Sequence, residues 1–280
     1  MFTHLDHLIV AVDDLEAAAK NYQTLFGMTP VWSGEHKELG TSNALFAFKN
    51  TYFELLSATG EGLGADLVKH YLNQSGEGLI GIVFATDDIK KAKSSLEEQG
   101  FNMPDISSGE GINSSDQQVR RWKNLFLPPE LSRGLFSFII EHTEGALPSP
   151  MSYAPSSPHS LDHVVINTND ADSFIDIYKD AFGIRLALDK TIEHWKKRML
   201  FFRLSKTTIE VIEEQNDQET ADTLWGLAWN VASIEETHKR LLGEGVDITP
   251  IKKGIKDKTL VATINSHTHN VPTLLIEHLD

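Results

Sequence analysis

The sequence contains 280 residues, of which 40% are hydrophobic, so it is long enough to bury the cores of two ordinary domains. Its formal net charge of −15 argues against a nucleic-acid partner, which usually meets a basic surface. The absence of cysteine excludes disulfides and thiolate ligands, and no apolar run approaches the roughly 20 residues that span a bilayer. We therefore expect a cytoplasmic protein, monomeric or homodimeric, that acts on a small molecule.

The first elements form a strand, a helix and three more strands. A short apolar strand starts at His7, and the helix after it can be capped by Asp14 and stopped by Gly27. The strands are expected at His7 to Val12, Thr29 to Ser33, Ala44 to Lys49 and Tyr52 to Ser57. This order predicts a β-α-β-β-β unit.

The next stretch repeats part of this order. Its elements are a strand at Leu79 to Thr86, a helix at Asp88 to Gln99, and strands at Val119 to Leu127 and Leu135 to His142. Two segments between the elements, Gly60 to Gly64 and Ser107 to Asp116, are typical of loops over a cavity mouth or of plain connections.

A proline-rich segment, Thr143 to Ser160, predicts a linker, and the chain beyond it repeats the first half. Leu5-Asp6-His7 and Leu161-Asp162-His163 match at an offset of 156, as do Glu54 and Glu210. The later elements are expected as a strand at Trp225 to Val231, a helix from Ser233, and strands at Thr259 to Ile264 and Thr273 to His278.

The repeats predict two domains of two modules each. The first domain spans 1–145, with modules at 4–58 and 79–142. The second spans 159–280, with modules at 159–214 and 223–279.

These motifs resemble the vicinal oxygen chelate superfamily, which includes glyoxalase I, bleomycin-resistance proteins and extradiol dioxygenases. The resemblance rests on Leu-Asp-His before an apolar strand, a helix ending in Phe-Gly, and a strand ending in Glu. The first half also looks like the glyoxalase-like subgroup, through Gly40 to Leu45, Tyr52 to Leu55, Arg121-Trp122 and Phe138 to Glu141. The resemblance implies an α+β fold of four βαβββ modules, paired into two half-open-barrel glyoxalase-like domains.

The same resemblance implies one divalent-metal site in each half. The implied ligands are His7, Glu54 and Glu141 in the first half, and His163, Glu210 and Glu277 in the second. The remaining ligand position of the family falls on Gly81 and Gly226, which cannot bind. One imidazole and two carboxylates suit iron, manganese, nickel or zinc and leave positions open for a substrate.

Strand alternation places His7 with Ile9 and Glu54 with Tyr52 on inward faces, and a carboxylate buried there needs a partner. Glu54 or Glu210 could instead carry a proton in catalysis. Three other residues are candidate substrate contacts: Arg121, Trp122 and His194. Arg120 or Arg121 could clamp a substrate carboxylate, although a surface ion pair is the commoner role for either arginine alone, and Trp122 could form a wall of the pocket. Two further histidines, His267 and His269, are weaker candidates for an added ligand of the second site. His142 and His278 should face away and are not assigned to a site.

Three functions follow from these residues. The first is a metal-dependent enzyme, of isomerase, lyase or hydrolase type, that stabilises an enolate of a small oxygenated substrate. The second is an extradiol-type dioxygenase, although Gly226 replaces a histidine ligand usual in that class. The third is a metal-free small-molecule binding protein of the resistance-protein branch.

Overall fold

The structure is a computed structural model that describes residues 1–150, 152–193, 195–214 and 222–279. Its first half contains eight strands and four helices. In chain order they are β1 His4–Ala11, α1 Leu15–Phe26, β2 Trp32–His36, β3 Thr41–Ala47, β4 Tyr52–Ala58, α2 Leu63–Ser75, β5 Gly78–Ala85, α3 Ile89–Glu98, β6 Ser107–Asn113, β7 Val119–Phe126, α4 Pro129–Ser132 and β8 Phe136–Glu144.

The second half contains the same kinds of element. They are β9 Pro158–Thr168, α5 Ala171–Ile175 continued by a π-helical turn Asp176–Ala181, β10 Arg185–Ile192, β11 Lys197–Leu204, β12 Thr207–Glu213, β13 Thr223–Val231, α6 Ile234–Gly243, β14 Lys252–Lys253, β15 Thr259–Ile264 and β16 Thr273–His278. The predicted mixed fold with two glyoxalase-like sheets is confirmed. None of the described helices is long and apolar enough to cross a membrane.

The first sheet closes into a barrel in the order β1-β4-β3-β2-β6-β7-β8-β5, where a half-open barrel was expected. Closure comes from β6, which occupies most of the stretch predicted as a loop: Asn113 pairs with Gly34 of β2. Glycine is required at this seam because a Cβ on Gly34 would lie 2.8 Å from the Ile112 carbonyl oxygen.

The second sheet stays open, in the order β10-β11-β12-β9-β13-β16-β15-β14. Its two edge strands, β10 and β14, are not paired with each other within the described residues. The two halves therefore share a topology but differ in how far their concave faces are enclosed.

Helix α2 adds to this difference. It lies against the concave face of the first sheet, where Val68 is fully buried and packs with Ile9 and Leu56. Nineteen residues separate β4 from β5, against nine between β12 and β13, so the second half has no room there for a helix of 13 residues. No helix was predicted in this connection, where the sequence indicated only a loop at Gly60 to Gly64.

One continuous hydrophobic core joins the two halves. Trp229 of β13 is 1% exposed and packs against three aromatic rings of the first half, Phe26, Phe48 and Phe53, with ring centroids 4.2–6.0 Å away. The proline-rich linker is therefore a boundary in the sequence, but the two cores are packed together.

Replacing Trp229 should destabilise both halves at once. We expect Trp229→Ala to lower the free energy of unfolding by about 3–5 kcal/mol, because a large buried ring leaves a cavity. Denaturant unfolding followed by far-UV circular dichroism measures it, with Trp195→Ala, at a position 45% exposed, as the control. Two separated transitions in the variant would contradict a shared core.

Two Asp-His-Glu clusters as the candidate functional site

A β-bulge aims the first functional side chains of each half. In β1 the pairing steps from Leu5 to His7 while the partner strand advances by one residue, so Asp6 is the extra residue. In β9 the same irregularity falls at Asp162. Neighbouring residues of a strand normally face opposite sides, but a bulge re-aims one of them. Each aspartate can therefore reach the histidine that follows it.

The first cluster is a chain of contacts between polar side chains, all buried except that of His142. His7 Nδ1 lies 2.6 Å from Asp6 Oδ1, and its Nε2 lies 3.3 Å from Glu54 Oε2. His142 Nε2 lies 2.9 Å from the second Asp6 oxygen. Asn43 Nδ2 donates a 2.7 Å hydrogen bond to Glu54 Oε1. Both nitrogens of His7 and both oxygens of Glu54 thus have a partner.

These contacts set the charges of the cluster. Burial alone would lower the pKa of His7, but the Asp6 and Glu54 carboxylates raise it to about 9. Burial would likewise raise the pKa of both carboxylates, but hydrogen bonds hold the Asp6 pKa far below its usual range, and contacts with His7 and Asn43 lower the pKa of Glu54. The geometry favours a protonated imidazole between two carboxylates at neutral pH.

The second cluster repeats this chain more loosely. His163 Nδ1 lies 2.8 Å from Asp162 Oδ1, its Nε2 lies 3.8 Å from Glu210 Oε2, and His278 Nε2 lies 2.7 Å from Asp162 Oδ2. By the repeat offset, Met199 stands where the first half has an asparagine, so that donor is missing. Burial accordingly raises the pKa of Glu210.

The structure does not bring Glu141 or Glu277 to these clusters, which corrects the expected ligand sets. Glu141 Oε2 accepts a 2.8 Å hydrogen bond from the backbone N–H of Ile89, at the start of α3. Glu277 Oε2 accepts one of 2.7 Å from Ile234, at the start of α6. Glu213 does the same for α5. A carboxylate at a helix N-terminus satisfies a free N–H and opposes the helix dipole.

Apolar side chains stand where the third ligand was expected. Glu54 of β4 lies opposite Ile9 of β1, and the corresponding place on β8, opposite Val83 of β5, holds Phe138. The corresponding place on β16 holds Leu274. The Phe138 ring packs edge-on against the His7 imidazole, with centroids 5.9 Å apart.

The remaining ligand position of the family, at Gly81 and Gly226, has no room for a side chain. A Cβ added to Gly226 would lie 2.7 Å from the Pro272 carbonyl oxygen, and one added to Gly81 would lie 3.0 Å from Ile9 Cβ. His267 contacts its neighbour Ser266, and His269 contacts Glu77 of the first half, so neither joins the second cluster.

The donor set therefore does not fit a resident divalent metal held by three protein ligands. Each half offers one imidazole and one carboxylate at a common point, whereas a facial triad needs three groups. Across the described ranges, no group of three or more His, Asp or Glu side chains is arranged to hold an ion.

Of the predicted substrate contacts, Trp122 faces the barrel interior and Arg121 faces outward. Trp122 lies against Gly109 and Gly111 and has its ring centroid 6.0 Å from that of His36. Arg121 is paired at the surface with Glu110 and Glu144, because alternation turns it to the outer face. The prediction for His194 falls outside the described residues.

Sequence reasoning missed four members of the two clusters, and it offered Arg120 as a clamp for a substrate carboxylate without separating it from Arg121. Arg120 is only 6% exposed and lies inside the barrel, on the same strand face as Trp122. The four cluster residues are Asp6, His142, Asp162 and His278. One sequence signal could have found them, since the dipeptides Asp-His and Glu-His both recur in equivalent places of the two halves.

A space beside the first cluster is open to solvent, because Tyr52, His36 and Trp122 lie on inward strand faces and are each only partly buried. The Tyr52 ring stacks on the His7 imidazole with centroids 4.7 Å apart. We call this space, bounded by the first cluster, these three residues and Arg120, the first chamber.

The fold and the paired clusters define a protein built from a duplicated glyoxalase-like unit, of which the first closes into a barrel and the second stays open. Residues 5–182 match the family described as Glyoxalase-like domain. Residues 160–263 match the Glyoxalase/Bleomycin resistance protein/Dioxygenase superfamily. The chain belongs to the Glyoxalase-like domain family, whose model matches more than half of it.

Individual relatives cover different shares of the chain. An ethylmalonyl-CoA/methylmalonyl-CoA epimerase of Cereibacter sphaeroides is 33% identical over 112 residues, which are 39% of this chain and 79% of the epimerase. A mutant 4-hydroxymandelate synthase from Streptomyces coelicolor superposes with a TM-score of 0.68 over 99% of this chain and 93% of its own, at 15% identity. A Mn(II)-bound glyoxalase from Novosphingobium aromaticivorans gives 0.66 over 100% and 83%, at 16%. At these identities the two structures show a shared fold alone.

Removing the Glu141 carboxylate tests its assignment as a helix cap. We expect Glu141→Ala to lower the free energy of unfolding by about 1 kcal/mol, because the Ile89 N–H loses its acceptor. Denaturant titration measures the change, and Glu144→Ala, which removes only a surface ion pair, should change stability by less than about 0.5 kcal/mol. Unchanged stability in the Glu141 variant would contradict the assignment.

The buried imidazole should make stability depend on pH. Folded His7 keeps its proton until about pH 9, whereas the unfolded chain releases it near its ordinary pKa of 6.5, so stability falls as the pH rises between these values. His7→Gln should reduce this slope by up to about 1.4 kcal/mol per pH unit. Denaturant titrations from pH 6 to 9.5 measure it, with exposed His70→Gln as the control. An identical slope in wild type and His7→Gln would contradict this protonation state.

Proposed function

We propose that this protein is an enzyme that moves a proton at a carbon atom next to a carbonyl group, in a small oxygenated substrate bound in the first chamber. Glu54 is the base, and His7, held by Asp6, is the donor to the carbonyl oxygen. The observation that carries the proposal is the convergence of His7 Nε2 and Glu54 Oε2 at 3.3 Å beside an accessible, aromatic-walled space.

The step needs only groups that the chain supplies. The C–H bond breaks, its proton passes to a Glu54 oxygen, and the electron pair moves to the carbonyl oxygen as an enolate. The His7 N–H then stabilises that oxygen, in the way that a fixed donor stabilises developing charge in a water-poor site. Glu54 can return the proton to the same carbon, which exchanges its hydrogen with solvent, or to the neighbouring carbon, which gives an isomerase outcome.

Asp6 makes His7 suitable for this role. Its hydrogen bond to Nδ1 fixes the plane of the ring and leaves Nε2 directed at the chamber. The carboxylate also favours the protonated imidazole, which is the form that can donate to an enolate oxygen. His142 holds the other Asp6 oxygen, so the aspartate cannot turn away.

The first half is the better candidate for the working site. Its chamber is enclosed by a closed barrel, whereas the second sheet is open. Trp122 lies opposite His142 in the first half, but the residue opposite His278 in the second is Thr259. Exclusion of water strengthens hydrogen bonds to a developing charge, which favours the enclosed site.

The epimerase that is 33% identical to part of this chain supports proton transfer as the reaction class. The metal dependence implied by the resemblance receives no support from the donor set, because apolar Phe138 and Leu274 stand at the third position. A dioxygenase site of two histidines and one glutamate would need its second histidine at Gly226, where a Cβ would lie 2.7 Å from the Pro272 carbonyl oxygen.

A metal-free binding protein is the second candidate. It is favoured by the aromatic and cationic lining of the first chamber, where the Arg120 guanidinium lies over the rings of Trp32 and Tyr52. Such a protein would bind a ligand without exchanging any of its hydrogens, which separates the two functions by experiment.

Hydrogen exchange tests the enzyme. We expect the protein to exchange carbon-bound hydrogen of at least one member of a set of small ketones and 2-oxo acids in D2O, followed by proton NMR. Glu54→Gln should slow this exchange by about 100- to 10,000-fold because the base is lost. Glu210→Gln, the matched change in the second half, should leave it within about twofold. No exchange across the set, or exchange unaffected by Glu54→Gln, would rule out the proposal.

The same protein preparations test whether the protein contains a bound divalent metal. We expect elemental analysis of protein purified without chelators or an affinity tag to find far less than one equivalent of iron, manganese, nickel or zinc. His7→Ala should not change that content. Stoichiometric metal that disappears in His7→Ala would instead favour the metal-dependent enzyme.

A further inference from the structure

One buried cation in the first chamber has no counter-ion among the residues that the structure describes. The Arg120 guanidinium lies 5.4 Å from the ring centre of Trp32 and 5.7 Å from that of Tyr52, and its Nη2 lies 3.5 Å from His142 Nδ1. The side chain is almost completely removed from solvent, at 6% exposure.

Arg120 differs in this respect from Arg133, another arginine with little exposed side chain. Arg133 makes two hydrogen bonds, of 2.6 and 3.2 Å, to the buried carboxylate of Asp222. Within the described residues, Arg120 forms no ion pair within 4.0 Å, and its Nε has no hydrogen-bond partner. A buried charge without a counter-ion is unfavourable, and an anionic group on a ligand would supply one.

The chamber also offers unpaired acceptors. Asn43 Oδ1 and Asn124 Oδ1 are buried without hydrogen-bond partners, and Asn124 lies on the same strand face as Arg120. Asn43 uses its amide nitrogen on Glu54, so its free oxygen lies beside the reacting carboxylate. A hydroxyl or amide donor on a ligand would satisfy such an oxygen.

Arg120 and the first cluster are close enough to act on one small molecule. The Tyr52 ring contacts both of them, the His7 imidazole at 4.7 Å and the guanidinium at 5.7 Å between centres. An anionic group on Arg120 would therefore leave the rest of a short molecule near His7 and Glu54. The fork of a guanidinium matches the two oxygens of a carboxylate.

We infer that Arg120 is the specificity-determining residue of the first chamber and that the substrate is a small carboxylate, bound through its carboxylate group to this guanidinium. This inference rests on the proposed function, because it names the substrate class of the same site. Trp32 and Tyr52 hold the guanidinium in place by stacking. Arg121, one residue later, takes no part because it lies outside the barrel and is already paired.

Calorimetric titration with matched ligands tests the inference. The probes are pyruvate and 2-oxobutyrate, each compared with its neutral amide, pyruvamide and 2-oxobutyramide. We expect each acid to bind wild-type protein at least tenfold more tightly than its amide, and Arg120→Gln to weaken acid binding by about 10- to 100-fold without weakening the amide. Arg120→Lys should recover part of the preference, because it restores charge without the fork.

Arg121→Gln is the control and should bind like wild type, and circular dichroism should show that each variant is folded. Equal binding of acid and amide by wild type, a preference that survives in Arg120→Gln, or no acid binding up to 20 mM, taken as about the practical limit of the method, would each overturn the inference. Glu54→Gln separates the two proposals. If hydrogen exchange fails throughout but this variant and wild type both prefer the acid, the proposed reaction is wrong and the carboxylate site stands.

Discussion

The bulge at Asp6 is the constraint on which the candidate site depends. In a regular strand, Asp6 and His7 would point to opposite faces, and the aspartate would lie in the hydrophobic layer between sheet and helices. The extra residue brings both side chains to one face, where they contact each other at 2.6 Å. His7 is therefore held in one orientation, with its other ring nitrogen, Nε2, beside Glu54. The second half keeps the same irregularity at Asp162, so the device is part of the duplicated fold.

The two halves show that equivalent glutamates can serve different purposes. Glu54 and Glu210 face the concave side and approach an imidazole, whereas Glu141 and Glu277 face the helices and accept backbone hydrogen bonds. All four stand on the last strand of a module and follow an apolar residue. The difference is one of register, because the second pair lies three residues further along its strands than the place that Glu54 occupies.

Periodicity and caps were sufficient to predict the order of elements. Asp14 caps α1 through the Ala17 N–H, and Gly27 ends it with a φ of 64°, as the sequence indicated. The orientation of Glu141 and Arg121 could not be predicted, because a single misplaced residue or bulge reverses the face of every side chain beyond it. The closing of the first barrel was missed because β6, with its serines and glycines, has the composition of a loop. Only pairing with β2 makes it a strand.

The insertion that carries α2 lies between two strands that border β1 on either side. Lengthening a connection at the rim leaves the hydrogen-bonded ladders beneath it untouched, so such a change is tolerated by the sheet. One copy of the repeat could thus gain a helix over its concave face while the other kept a connection of nine residues. Enclosure and reactive groups would then have separate histories, and the shorter connection is the natural place to graft a different cover.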